Sequence, residues 1–157
     1  MNPIFKKLNY KNQEQVYIIN PPDSFKKDMD DLNDLTTIKT TLVGSKKIEF
    51  VLAFVTKQKE VDDLAKKISP LMEEDGLLWF AYPKGSSKKY TCEFNRDTGW
   101  IALGKFGWEP VRMVAIDEDW SALRFRKAEH IKKMTRSSAL SDTGKRKIAA
   151  AKGKKKA

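Results

Sequence analysis

The chain has 157 residues, with 31 Lys and Arg against 21 Asp and Glu, one cysteine and one histidine. That length fits one globular domain with a tail and excludes a large multidomain enzyme, while Cys92 and His130 alone can build neither an internal disulfide nor a cysteine–histidine zinc centre. Apolar residues make up 40% of the chain, and no run of them approaches the roughly 18 residues of a spanning helix, so no membrane partner is expected.

The opening MNPIFKKLNYKNQ lacks the long apolar segment and small-residue cleavage site of a signal peptide, which makes a cytoplasmic protein the expectation. Val16 to Asn20 (VYIIN) is a β-branched and aromatic run stopped by Pro21 and Pro22, hence a buried strand. Phe25, Met29 and Leu32 then recur at helical spacing, with Asp23 or Ser24 placed to cap the first free amides. Thr36 to Val43, β-branched but interrupted by Lys39, predicts an edge strand closed by Gly44 and Ser45. Ile48 to Val55 is almost continuously apolar, as a strand covered on both faces must be. Val61, Leu64, Ala65 and Ile68 form the stripe of a second helix, which Pro70 interrupts; a last turn capped by Ser69 is expected to run through Glu74 and end at Gly76.

Leu77 to Tyr82 (LLWFAY) is a second wholly apolar strand, parallel to the previous one through the intervening helix. Gly85 to Asn95 has no periodicity. Asp97 or Thr98 can cap a short helix holding Trp100, Leu103 and Phe106 and closed by Gly107. Val111 to Ile116 and Trp120 to Arg126 flank Asp117-Glu118-Asp119 and predict an antiparallel hairpin. The four tryptophans belong mostly to the core, and Trp120 with Arg124 is a candidate for an exposed cation–aromatic pair.

Residues 1–125 carry 19 cations and 19 acids, whereas residues 126–157 carry 12 cations against Glu129 and Asp142, so the whole net charge of +10 belongs to the tail. The closing GKRKIAAAKGKKKA has too little to bury to offset its ordering entropy, so a single α/β domain over residues 1–134 and a basic, disordered tail over residues 135–157 are expected. The succession of elements argues for an α/β three-layer sandwich: a mostly parallel, Rossmann-like sheet with an antiparallel C-terminal hairpin. A ferredoxin-like split βαβ over residues 16–82 is the competing arrangement.

The segments FVLAFV, EVDDLAKKISPLMEEDG, LLWFAYPKG, NRDTGW and IDEDWSALRFR, in that order, resemble the bacterial domain-of-unknown-function family numbered 3052 over roughly residues 4–134. The resemblance implies a bacterial cytoplasmic setting and carries no catalytic residue with it. The run of strand, helix, strand ending in Pro-Lys, short helix and hairpin also resembles the later half of a class I methyltransferase. The first strand, however, leads into Asn20-Pro21-Pro22-Asp23 and not into a glycine-rich turn, so no cofactor is expected.

Asn20-Pro21-Pro22 resembles the Asn-Pro-Pro-aromatic signature of amino-group methyltransferases, but Asp23 stands in the aromatic position, and a proline-set turn into a capped helix accounts for the same residues. Pro83-Lys84-Gly85-Ser86-Ser87 follows a buried strand and can cradle an anion, or is simply a solvated basic loop. Ligands of open α/β sheets collect beyond the carboxyl ends of strands, so Asn20, Asp23, Thr56, Lys84 and Ser86 form the candidate ligand pocket. Lys145, Arg146, Lys147, Lys152, Lys154, Lys155 and Lys156 form the candidate polyanion-binding set, acting by counterion release. The leading expectation is thus a non-enzymatic α/β domain whose tail binds nucleic acid or another polyanion non-specifically. The alternative is a small-molecule binder or degenerate methyltransferase-like enzyme using the carboxyl edge. No catalytic residue and no metal ligand is nominated.

Overall fold

The computed structural model describes residues 2–95 and 97–131. Six strands form one sheet: β1 (Gln15–Ile19), β2 (Thr37–Lys39), β3 (Ile48–Phe54), β4 (Met72–Pro83), β5 (Trp108–Ala115) and β6 (Trp120–Lys127). Their spatial order is β2-β1-β3-β4-β6-β5. β1 runs parallel to β2 and β3, and β3 parallel to β4, while β6 is antiparallel to both β4 and β5. The helices are α1 (Pro3–Lys7), α2 (Lys26–Asn33), α3 (Gln58–Ile68) and α4 (Ile101–Lys105).

Strand alternation splits the core into two layers. On one face Val16, Ile18, Phe50, Leu52 and Trp79 pack with Phe5 and Leu8 from the α1 region and with Phe25 and Leu32 from the α2 region. On the other, Tyr17, Val51, Ala53, Leu78 and Phe80 meet Val61, Ala65 and Ile68 of α3 and Leu103 of α4. Helices on both faces explain why β3 and the second half of β4 are apolar without alternation, each fully buried Leu or Phe contributing about 1.5–3 kcal/mol. The result is the expected α/β sandwich with a Rossmann-like sheet, and the split βαβ alternative is excluded by the parallel β1–β3–β4 core.

Three local expectations are corrected and one helix is added. α1 was not anticipated: Asn2 Oδ1 accepts the Ile4 amide at 2.8 Å, Pro3 opens the helix, and the Leu8 carbonyl accepts the buried Trp79 Nε1–H at 3.0 Å. Met72 to Gly76, read as a closing helical turn, belongs instead to β4. Ile48 pairs with Met72 and Phe50 with Leu77, so β4 takes five steps where β3 takes two and the surplus bulges outward. Asp75 sits at φ +54° in this bulge, and a Cβ on Gly76 would lie 3.0 Å from the Ile48 carbonyl oxygen and 3.1 Å from that of Glu73. The edge strand shrinks to Thr37–Lys39. The expected caps are absent: no side chain caps the 3-10 turn Asp23–Phe25 or α2, and before α4 it is Asn95 Oδ1 that accepts the amides of Asp97 (2.8 Å) and Thr98 (3.1 Å).

All four tryptophans are buried. Trp120 is buried between Phe54 (5.1 Å) and Tyr90 (5.0 Å) and so is not the exposed partner expected for Arg124; cation–aromatic contacts among the described residues include Lys127 over Trp108 (4.8 Å) and Lys89 over Tyr90 (5.5 Å).

Candidate functional site

β1 leads through α2 outward to β2, and β3 leads through α3 in the opposite direction to β4, so strand order reverses between β1 and β3. In such sheets the crevice beyond the carboxyl ends at that reversal is the usual ligand site. Ile19 pairs with Ala53 and Phe54 with Ala81, so Asn20, Thr56 and Lys84 follow strands that end at one edge.

The backbone donors on the α3 side of this crevice are already committed. Pro21 and Pro22 have no N–H to offer. Thr56 donates its amide (3.0 Å) and hydroxyl (3.2 Å) to Glu60 Oε1, and the Lys57 amide donates to the same oxygen at 3.0 Å. The Gln58 amide donates to Glu93 Oε1 at 2.8 Å. Two of the chain's own carboxylates thus occupy the N-terminus of α3, where a bound anion would otherwise sit. Asn20 is exposed, at φ +54°, and Asp23 is exposed beyond the two prolines.

One strand further along the sheet the edge is open. The segment from Lys84 to Asn95 folds back over the sheet: the Lys84 amide donates to the Asp119 carbonyl (2.8 Å), Ser87 Oγ donates to Asp119 Oδ1 (2.8 Å), and the Glu93 amide donates to the Thr56 carbonyl (3.1 Å). Between this segment and the β5–β6 hairpin lies a cleft of about 520 Å³. Lys84, Ser87, Tyr90, Cys92, Asn95 and Ser121 supply its polar groups, and the buried rings of Tyr82 and Phe94 its apolar wall. Those rings are held by Trp100, at 5.6 Å from Tyr82 and 5.0 Å from Phe94, and the Tyr82 hydroxyl donates to Met113 Sδ at 3.3 Å.

Burial pushes the Cys92 thiol up, and the charges of Glu93 and Glu60 push it further, against a hydrogen bond with the Phe94 backbone that lowers it. Among the described residues, the cleft lining contains no carboxylate and no imidazole. It offers hydroxyls, an amide, an ammonium and aromatic faces, which suits recognition.

Of the residues nominated from sequence, Lys84 lines the cleft, while Asn20, Asp23, Thr56 and Ser86 do not. Thr56 is tied to Glu60 as described, and Ser86 is exposed beside the rim residue Ser87. Lys145, Arg146, Lys147, Lys152, Lys154, Lys155 and Lys156 lie outside the described residues. Sequence reasoning missed Tyr90, Cys92, Asn95 and Ser121 as a group because they come from an aperiodic loop and a distant strand. Asp117 Oδ1 accepts the amides of Asp119 and Trp120, both at 2.8 Å, so the acidic triplet is a hairpin turn.

Solved structures place the architecture. A SAM-dependent methyltransferase from Aquifex aeolicus superposes with a TM-score of 0.53 at 9% identity, covering 79% of this chain and 87% of that one. The fold is methyltransferase-like. The N-methyltransferase NodS from Bradyrhizobium japonicum WM9, in complex with S-adenosyl-L-homocysteine, is similar at a TM-score of 0.49 and 12% identity over 80% of this chain and 88% of that one. No family model matches the chain, and the resemblance to family 3052 is not confirmed. No curated protein matches it either.

A methyltransferase-like fold implies S-adenosylmethionine, and the residues present do not fit it. The turn after β1 replaces small residues and free amides with two prolines, the α3 amides are held by Glu60 and Glu93, and β2 ends on Lys39 where a ribose-binding carboxylate belongs. No helix among the described residues is long and apolar enough to cross a membrane.

Proposed function

We propose that this chain is a small-molecule-binding protein on a methyltransferase-like scaffold, with its ligand in the cleft beyond β4 and β6 and not in the crevice between β1 and β3. The observation that carries this reading is the contrast in donor commitment: the α3 side of the crevice has its amides consumed by Glu60 and Glu93, while the neighbouring cleft presents Lys84, Cys92 and Asn95 against an aromatic wall. A ligand matching that lining has a planar ring to lie against Tyr82 and Phe94 and an anionic or acceptor group for Lys84.

Thermal denaturation with benzoate, indole-3-acetate and adenosine monophosphate, and separately with S-adenosylmethionine, tests this reading. A ligand at 100 times its Kd adds about 2.7 kcal/mol, which is about 10 °C in Tm for a domain of this size. Stabilisation by a ring-bearing anion that is lost in Lys84→Glu supports the proposal. Stabilisation by S-adenosylmethionine, or ligand effects indifferent to Lys84→Glu, contradicts it.

The charge distribution favours a second reading that is compatible with the first. With eight cations against the single acid Asp142 in residues 135–157, the tail is suited to hold a polyanion non-specifically. Changing Lys145, Arg146, Lys147, Lys152, Lys154, Lys155 and Lys156 to alanine should abolish salt-sensitive retention on heparin. Unchanged retention refutes this second reading.

A further inference from the structure

The cleft beyond β4 and β6 has a hydroxyl near its inner end that the fold itself does not use. Ser121 stands opposite Tyr82 in the β4–β6 pair, so the two side chains project from one face of the sheet, and both line the cleft. Ser121 is 6% exposed, yet its Oγ makes no hydrogen bond among the described residues. Trp120 Nε1, Arg124 Nε and His130 Nε2 are unpartnered too, but those atoms are closed to solvent; Ser121 Oγ is not one of them and opens on the cleft. Other polar groups of the lining are more restricted. Ser87 Oγ donates to Asp119 Oδ1 (2.8 Å) and accepts the Tyr90 amide (3.1 Å). Asn95 Oδ1 accepts the amides of Asp97 and Thr98, which leaves its side chain only N–H groups to offer. Lys84 forms no ion pair among the described residues.

These groups give the cleft a direction. Lys84 follows Tyr82 by two residues, about 7 Å nearer the mouth at the rise of an extended chain, while Ser121 lies beside Tyr82 itself. Lys84 and the exposed Asn95 can only donate, so the outer end takes an anion. The inner end differs. A serine hydroxyl both donates and accepts, no carboxylate of the described lining stands by to hold a cation against it, and burial disfavours a second charge there. The group that matches it is a neutral hydroxyl. Tyr82 and Phe94 suit a planar ring joining the two ends, and about 7 Å is the span of one such ring substituted at opposite positions. We propose, building on the reading of this cleft as a ligand site, that it selects a phenolic acid, with the carboxylate on Lys84 and the phenol hydroxyl on Ser121. Ser121 is then the residue that sets specificity, because a site built to bond a hydroxyl leaves its own buried group unmatched when the ligand lacks one.

Full-length protein is titrated calorimetrically with benzoate, 4-hydroxybenzoate and 4-methoxybenzoate, in the wild type, Ser121→Ala, Ser121→Cys and Lys84→Glu. The expected result is that 4-hydroxybenzoate binds at least tenfold more tightly than benzoate, and that 4-methoxybenzoate, which cannot donate, binds no better than benzoate. In Ser121→Ala the two affinities should converge to within twofold at the wild-type value for benzoate. Ser121→Cys, which keeps the shape but has only a weak donor and acceptor, should narrow the preference even where Ser121→Ala folds poorly. Lys84→Glu should weaken all three ligands alike. Benzoate binding as tightly as 4-hydroxybenzoate, or a preference that persists in a folded Ser121→Ala or Ser121→Cys, overturns this inference and leaves the cleft as a ligand site. Failure of all three to bind the wild type overturns that reading and the inference together.

Discussion

Replacing Glu60 with alanine probes the feature that separates this chain from a cofactor-binding relative of the same fold. Glu60 Oε1 accepts from the Thr56 amide, the Thr56 hydroxyl and the Lys57 amide at 3.0, 3.2 and 3.0 Å. In a partly exposed setting each such bond contributes about 0.5 kcal/mol net, so Glu60→Ala should lose about 1.5 kcal/mol, or roughly 6 °C in Tm. A second consequence is specific to the argument. With Glu93→Ala added, the Gln58 amide is released as well, and the 11-residue α3 regains an unoccupied N-terminus. The double variant should then be stabilised by sulfate more than the wild type at matched ionic strength, as read by differential scanning calorimetry. A Tm unchanged in Glu60→Ala, or an equal sulfate response in both proteins, refutes the claim that these carboxylates fill an anion site.

Gly76→Ala pushes a methyl group against two carbonyl oxygens that cannot yield, and should lower the urea midpoint by the equivalent of about 1–3 kcal/mol with the m-value unchanged. Asp75→Asn tests the bulge electrostatically. The side-chain hydrogen bond from Arg126 holds the Asp75 carboxyl below its usual value, so its contribution is present above the unfolded pKa of about 4 and lost as pH falls through the lower folded value. Because both groups are about one-third exposed, the gap between wild type and Asp75→Asn should be about 0.5 kcal/mol at neutral pH and should close in acid; a gap that widens in acid contradicts the assignment. Cys92, its thiol raised by burial, should alkylate with iodoacetamide more slowly at neutral pH than a free cysteine, and more slowly still when the cleft is filled. A rate equal to that of a free thiol contradicts both its burial and its place in the cleft.

Much of the sheet could be read from residues because burial on both faces leaves an unmistakable pattern: Phe50 to Val55 and Leu77 to Tyr82 contain no charge, and the stripe Val61, Ala65, Ile68 has one period only. The errors fell where a local signal had two solutions. Met-Glu-Glu-Asp-Gly reads as a helix end because acids and a glycine follow Pro70, but pairing with Ile48 draws it into β4 as a bulge, a long-range interaction that no local window contains. The cap and proline of α1, Asn2 and Pro3, were visible, yet five residues carry too little periodicity to announce a helix. The carboxyl edge as a region follows from where parallel strands end. Which part of it is open depends on Glu60 and Glu93 folding back onto α3 and on an aperiodic loop crossing to Asp119, and neither has a sequence signature.

Amide-resolved NMR on the full-length protein addresses the central claim most directly. Titration with indole-3-acetate should move the amides of Lys84, Ser87, Cys92, Asn95 and Ser121, and S-adenosylmethionine should move none. Saturable shifts on adding S-adenosylmethionine at Asn20, Ser24 and Thr56 to Gln58, with the cleft amides silent, would contradict the account.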